Sequence, residues 1–392
     1  MTTIFDTVLS SRKGLGDIGV VVDPFSGATS RFIPAVTRYP GGPVLTADGF
    51  LDDVQAQMVR KVIPAKIDPR LEILCDVLNP GAAHFQGKYL LAVRFANTRR
   101  FTDHYLAEST DGIHWTHHPR VLDLPDLPVR PRQDTLKAAN PKLPKGQKWR
   151  PGAAYDARIT QMGDEYLVTF AVDYDTLEPE GSPYFNICDN VLYRTRDFTT
   201  FEFISTFLGN TRNGVMFPRR IDGFYYCAGR PNCNDRSDTF LYRSRDLVRW
   251  EQVSKLFSTG HAWMCYGGPG FPPFETEKYW VMGVHGVETH GMHRVHYRAG
   301  VCLIDKVTMK LAAPPSPILD PKEQYELDGI VDNVIFPSGI LFSDGRGDGI
   351  KAPDTRVAIY YGGADRVIGI GLSTVRRLVA AGLGTYNPFA TE

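Results

Sequence analysis

The sequence has no excess charge of either sign: 44 Lys and Arg residues balance 44 Asp and Glu over 392 residues. That balance speaks against nucleic acid or an anionic membrane as the main partner, because both call for a basic surplus. Cysteine is scarce and unpatterned. Its six occurrences, at 75, 188, 227, 233, 265 and 302, form no C-x-x-C pair and fall mostly in apolar runs. Buried free thiols are the expectation. No stretch approaches a membrane-spanning length, and no cationic start leads into an apolar segment, which predicts a soluble cytoplasmic protein. A Gly-x-x-x-x-Gly-Lys phosphate loop, a nucleophile elbow and zinc-ligand spacing are also absent. His290, His293 and His296 are spaced as H-x-x-H-x-x-H, but Gly291 and the flanking strand patterns deny them a helical face, so no metal site is expected. Asp344-Gly-Arg-Gly-Asp-Gly349 reads as a hairpin turn in preference to a calcium loop.

What the chain has in quantity is aromatic and turn-forming residues, with 18 Tyr, 22 Phe, 37 Gly and 28 Pro. One phrase recurs: a Gly turn, an apolar-aromatic strand, a variable loop, then a second strand closing on a polar turn. It runs from Gln86 to Trp115, Gly163 to Phe198, Asp222 to Trp250, Glu277 to Asp305 and Thr355 to Ser373. Ser109-Thr-Asp-Gly, Thr195-Arg-Asp-Phe and Ser244-Arg-Asp-Leu close the first three units with what looks like one motif. Units of roughly 50–80 residues with about four strands each are propeller blades. The fold class predicted is all-β, a single five-bladed β-propeller. Residues 1–60 read as an irregular lead-in packed on the propeller around its first blade, with a short helix at 51–60. Residues 61–392 read as the catalytic propeller, with an exposed insertion at 124–150 and a closing helix at 373–381.

In such a fold, loops and strand starts on one face converge on a central channel. The residues that could work there interrupt apolar or glycine-rich runs, where an unpaired charge is costly. The first unit offers Asn79 and Arg94, and the second Tyr155, Asp156 and Arg158. The third carries Arg212, Asn213 and Arg230 on one hairpin, whose turn is Asp222-Gly223. Both arginines are expected on the same side of that hairpin, away from the turn. The fourth unit offers His285 and Tyr297, the fifth Asp332 and Asp365. Two guanidinium groups so placed call for an anion, unless each is tied into an ordinary salt bridge.

Nine motifs in order make the chain resemble glycoside hydrolase family 130, the β-mannoside phosphorylases and related mannosidases. They are Asn79-Pro-Gly-Ala, Tyr155-Asp-Ala-Arg-Ile-Thr160, Arg212-Asn-Gly-Val-Met-Phe-Pro218, Gly229-Arg-Pro231, Gly268-Pro-Gly-Phe-Pro-Pro273, Val284-His-Gly-Val287, Tyr297-Arg-Ala-Gly300, Asn333-Val-Ile-Phe336 and Tyr360-Tyr-Gly-Gly-Ala-Asp365. The resemblance spans about Tyr39 to Val379 and implies inverting phosphorolysis of a β-mannoside to α-mannose 1-phosphate. Asp156 would be the general acid, acting through a hydroxyl of the mannosyl ring. Inorganic phosphate, a co-substrate needing no further cofactor, would be held by Arg212, Asn213, Arg230, His285 and Tyr297. Asn79, Arg94, Tyr155, Arg158, Asp332 and Asp365 would serve the sugar side. The resemblance also allows homo-oligomers.

It further implies a lysine where Tyr266 stands and an acidic residue where Arg219 stands, so that one cation is lost and another gained nearby. Plainer rivals stand beside these assignments. Asp156 could cap a strand and pair with Arg158, His285 could be a core histidine, and Asp365 could form a turn. Two other functions stay open on the same fold: a β-mannoside hydrolase, which would need a second carboxylate roughly 6.5–9.5 Å from the first, and a carbohydrate-binding propeller without catalysis.

Overall fold

The structure is a computed structural model that describes residues 3–9, 20–22, 29–31, 35–47, 75–97, 102–128, 131, 153–175, 186–231, 237–260, 263–290 and 294–384. Among these, five antiparallel sheets of at least four strands form a closed ring, and Val20–Val22 and Thr29–Arg31 pair as a separate small ribbon. Blade 1 is Cys75–Phe85, Lys88–Asn97, Thr102–Ser109 and Thr116–Val121. Blade 2 is Ala153–Met162, Glu165–Asp175, Asn186–Thr195 and Glu202–Leu208. Blade 3 is Thr211–Met216, Tyr225–Pro231, Thr239–Ser244 and Glu251–Phe257. Blade 4 is Tyr266–Pro269, Tyr279–His290, Arg294–Asp305 and Leu311–Leu319, with Phe274–Glu275 paired alongside.

Blade 5 starts with Ile335–Phe342, Arg356–Gly363 and Val367–Thr374. Its fourth strand comes from the other end of the chain: Thr37 and Arg38 pair with Leu372 and Gly371. Part of the lead-in therefore completes the last blade, where wrapping of the first was expected. The physical reason is a free sheet edge. Val367–Thr374 would expose unpaired backbone groups, and a strand from residues 35–47 covers them. Helix Ile4–Leu9 does reach blade 1, through Ile4 N–H donating to Asp111 O at 2.6 Å. The helix expected at 51–60 and most of the 124–150 insertion lie outside the described residues.

The phrase read from the sequence is the blade itself. Asp222 and Gly223 both take left-handed φ, 49° and 78°, in a tight turn between Ile221 and Phe224. The shared closing motif is one hydrogen-bonded turn. Asp111, Asp197 and Asp246 each accept two backbone N–H groups through Oδ1, at 2.7–3.0 Å, from the residues two and three positions on. Ser109, Thr195 and Ser244 accept from the turn in the same way. Blade 4 repeats the turn at Asp305, which the sequence comparison passed over.

Apolar side chains fill each blade-to-blade seam. Val77, Leu91 and Phe95 meet Leu341, Tyr360 and Ile370 between blades 1 and 5. Val168 and Phe170 meet Ala83 and Leu90 between blades 2 and 1, while Leu192 and Phe207 meet Met216 and Cys227 between blades 2 and 3. Phe217 meets Trp280 and Cys302 on the way to blade 4. The last seam, Val281 and Val301 against Ile335 and Tyr361, is covered by Leu378 and Ala381 of helix Val375–Gly382, the closing helix expected. Fully burying one such side chain stabilises by about 1.5–3 kcal/mol, against about 0–1 kcal/mol for an exposed ion pair, so the seams hold the ring. Cys188, Cys227 and Cys302 are buried free thiols as expected, whereas Cys265 is exposed.

The loop Asp344–Gly349 shows why it reads as a turn. Lys351, almost wholly buried, places its ammonium 2.9 Å from Asp344 Oδ2 and 2.8 Å from the carbonyls of Arg346 and Asp348. A side-chain cation occupies the centre of the loop.

Candidate active site

The innermost strands of blades 1, 2 and 3 break register at the same place. Pairing skips Asn79-Pro80 in the first, Asp156-Ala157 in the second and Asn213-Gly214 in the third. Asn79, Asp156 and Asn213 take left-handed φ of 33°, 55° and 57°. Asn and Asp tolerate this conformation better than other side-chain-bearing residues, and a bulge re-aims the side chain that carries it. Asn333 and Asp365, flanking the inner strands of blade 5, share it at 59° and 53°. The polar interruptions seen in the sequence are thus backbone devices at the channel mouth.

They open on a cavity of about 240 Å³ lined by Asn79, Arg94, Tyr155, Asp156, Arg212, Asn213, Arg230, Tyr266, His285, Tyr297 and Asp365, with Val331, Val334 and Phe336 as its apolar wall. Ten of the twelve residues singled out from sequence meet here. Arg158 lies behind the lining: it is 2% exposed, donates through NH1 to Asp156 O at 2.6 Å and through Nε to Gly270 O at 3.0 Å. It holds the strained backbone of Asp156. Asp332 does not join the lining either. It is exposed and its Oδ1 accepts from Gly329 N–H at 3.3 Å, while the neighbouring Val331 lines the cavity.

Two carboxylates, Asp156 and Asp365, belong to the lining. Asp156 Oδ1 accepts from Asn79 Nδ2 at 3.0 Å and from Arg94 NH1 at 2.9 Å. Oδ2 takes no hydrogen bond among the described residues, which leaves it unengaged. Asn79 in turn packs against Gly362, where any side chain would strike its Oδ1. Asp365 is pushed up to about 6 by burial, with Arg94 opposing and Asp156 and Asp76 reinforcing the shift.

Cations and aromatic groups make up much of the rest of the lining. Arg212 and Arg230 are direct cross-strand partners, as the hairpin predicted. Arg212 NH1 donates to Tyr155 Oη at 2.7 Å, and NH2 lies 3.1 Å from Asp173 Oδ1. Arg230 makes no hydrogen bond or ion pair among the described residues, and burial followed by the Arg212 charge lowers its pKa. Gly268 lets it lie flat, since a side chain there would come within 3.1 Å of Arg230 Cδ. Burial, then Arg230 and Arg158, hold His285 well below the usual imidazole range, so it is neutral. Its Nδ1 lies 3.2 Å from Pro269 O, which can only accept, so Nδ1 bears the hydrogen and Nε2 keeps a lone pair. Tyr297 stacks on His285 at 6.3 Å and stands edge-on to Tyr266 at 6.4 Å.

Arg219 does not supply a compensating cation. Its guanidinium grips Glu275 at 2.7 and 2.8 Å and lies over Trp280, outside the cavity lining. His296 bonds Asp320 at 2.6 Å, while the side chains of His290 and His293 lie outside the described residues. No cluster of His, Cys, Asp and Glu able to hold a metal occurs among the described residues. Val331, Val334 and Phe336 could not be singled out as lining from sequence, because an apolar residue in or beside a strand gives no signal separating wall from core.

With this geometry in view, comparisons with known proteins are specific. A family model described as beta-1,4-mannooligosaccharide phosphorylase matches residues 106–381. The chain is 29% identical over 304 residues to the beta-1,4-mannooligosaccharide phosphorylase of Ruminococcus albus, covering 75% of this chain and 80% of that protein. It is 26% identical over 329 residues to the 4-O-beta-D-mannosyl-D-glucose phosphorylase of Bacteroides fragilis, covering 77% and 74%. In structure it superposes on the beta-1,2-mannobiose phosphorylase of Listeria innocua with a TM-score of 0.64 at 19% identity, over 89% of this chain and 99% of that one.

Proposed function

The chain belongs to glycoside hydrolase family 130 as a phosphorylase-type enzyme, and from that premise we propose that it cleaves a β-mannoside with inorganic phosphate, inverting the anomeric carbon to give α-mannose 1-phosphate. The observation that carries the reading is what one cavity holds together. Its lining includes a carboxylate with an unengaged Oδ2 and an arginine pair whose Arg230 has no hydrogen-bond partner among the described residues.

In the proposed reaction, protonated Asp156 supplies the proton that ends on the leaving acceptor oxygen, relayed through a mannosyl hydroxyl. A phosphate oxygen attacks the anomeric carbon from the opposite face as that carbon's bond to the acceptor breaks. Phosphate is already an anionic nucleophile, so no second carboxylate has to activate it. Arg212, Arg230 and Asn213 offset and orient its charge. Neutral His285 complements them, because its Nε2 lone pair can accept from a P–OH group that the cations cannot recognise. Asp365 and Asn79 would orient the mannosyl hydroxyls, with Val331 and Phe336 against the ring's apolar face.

The test is to incubate the protein with β-1,4-mannosyl-glucose and with β-1,4-mannobiose, each with and without phosphate, and to follow mannose 1-phosphate by phosphorus NMR. Phosphate-dependent formation of the α-anomer is expected. Equal turnover to free mannose without phosphate would establish a hydrolase instead. Arg230→Ala is expected to raise the KM for phosphate at least about tenfold while changing that for the mannoside little.

A further inference from the structure

We propose that Asp173, which lines no part of the cavity, is a positioning residue that orients Arg212 and limits how tightly the site grips phosphate. The inference rests on the phosphorylase reading above and extends it to a half-buried residue beside the lining.

Asp173 lies on the second strand of blade 2, paired with Ala153 on one side and Cys188 on the other. Its Oδ1 accepts from Tyr155 Oη at 3.1 Å and lies 3.1 Å from Arg212 NH2. Tyr155 Oη itself accepts from Arg212 NH1 at 2.7 Å. The three groups close a ring that fixes the guanidinium plane. Behind it, the buried Cys188 thiol sits 3.5 Å from Tyr155 Oη. The face of the same tyrosine carries Arg94, whose guanidinium carbon is 5.1 Å from the ring centroid and which also bonds Asp156. One side chain thus touches both the arginine of the acid and an arginine of the phosphate side.

The charge count gives the ring its consequence. Arg212 and Arg230 face each other across the hairpin, and Arg230 has no counter-charge of its own among the described residues. Asp173 offsets one of these cations while the site is empty. When phosphate enters, the same carboxylate becomes a like charge one guanidinium away and opposes its binding. Binding a nucleophile very tightly in the ground state lowers KM without helping the chemical step. Asp173 therefore keeps phosphate exchangeable and leaves it more of its own charge for attack.

Asparagine at this position keeps an acceptor for Tyr155 and Arg212 but removes the charge; alanine removes both. The experiment titrates inorganic phosphate by calorimetry into wild type and Asp173→Asn, and measures kcat and both KM values. Asp173→Asn is expected to bind phosphate about fivefold tighter, with a lower kcat and a mannoside KM within about twofold of wild type. Asp173→Ala is expected to shift phosphate affinity the opposite way, by freeing the Arg212 side chain. Unchanged or weaker phosphate binding by Asp173→Asn, or an equal shift in mannoside KM, would overturn the inference while leaving the phosphorylase reading intact. Wild-type turnover that ignores phosphate would overturn that reading itself. The Asp173→Asn titration decides the matter even if the alanine variant fails to fold.

Discussion

Asp365 meets the cavity with a carboxylate whose charged form burial disfavours, at a pKa of about 6 against an ordinary value of 3.8. Between those two values the folded protein holds a proton that the unfolded chain has released. Stability contributed by this group therefore falls as pH rises from about 4 to about 6 and stays low above that. Asp365→Asn should raise Tm relative to wild type at pH 7.5 and give no such gain at pH 4, as thermal melts will show. In the proposed reaction function runs the other way, since the mannosyl hydroxyls assigned to Asp365 there would donate best to the ionised group. The KM for mannoside should rise as pH falls through about 6 in wild type, and that dependence should flatten in the variant. At Arg158 the expectation is a loss of rate without loss of binding. Arg158→Met removes the NH1 bond to Asp156 O, freeing a left-handed Asp156, so kcat should drop about tenfold or more with a smaller change in either KM. Asp156, Arg212 and Arg230 were legible in the sequence because a charge inside an apolar strand calls for an explanation. Arg158 shared that signal and proved to be a support, since sequence gives no depth coordinate that separates lining from backing.

The blade element repeats two local devices, and only one of them could be read from sequence. The Asp turn between third and fourth strands was visible as Ser/Thr-x-Asp in three units, because its hydrogen bonds join residues two or three apart. Asp197 illustrates its worth: Oδ1 accepts from Thr199 and Thr200 at 2.8 and 2.7 Å and steers Phe198 into left-handed φ. These bonds hold its pKa below the carboxylate norm. That stabilisation is present above about pH 4 and fades on acidification. Asp197→Ala should lower Tm by about 1–2 °C at pH 7, with the difference from wild type shrinking near pH 3. The second device, the bulge at Asn79, Asp156 and Asn213, was not legible. Asn-Pro, Asp-Ala and Asn-Gly share no residue pattern, and the break in pairing is defined only against the neighbouring strand.

Closure of the ring is a property of the whole molecule, and its key contact spans nearly the full chain. The five blades were legible because each is built from local hairpins. The identity of the closing strand was not, since Thr37–Arg38 is two residues long and carries no pattern of its own. Its hold comes from charge. Glu326, fully buried, accepts from Arg38 Nε at 2.8 Å and NH2 at 2.9 Å, and from Tyr361 Oη at 2.7 Å. Removing one partner of a buried pair leaves an uncompensated charge and costs about 3–5 kcal/mol, whereas an exposed pair contributes about 0–1 kcal/mol. Arg38→Met should therefore lower the unfolding free energy by about 3 kcal/mol in denaturant titration. Arg376→Ala, which breaks the exposed pair with Asp354, should change it by less than about 1 kcal/mol. Adding Glu326→Gln to Arg38→Met should recover part of the loss, because it removes the stranded charge. Equal small losses for Arg38→Met and Arg376→Ala would show that the edge strand is held by backbone pairing alone. The same network leads to the site: Tyr361 precedes the Gly362–Asp365 segment, and Glu326 precedes the Val331 wall. Arg38→Met should accordingly raise the mannoside KM more than the phosphate KM, because Asp365 and Val331 belong to the sugar side of the proposed reaction.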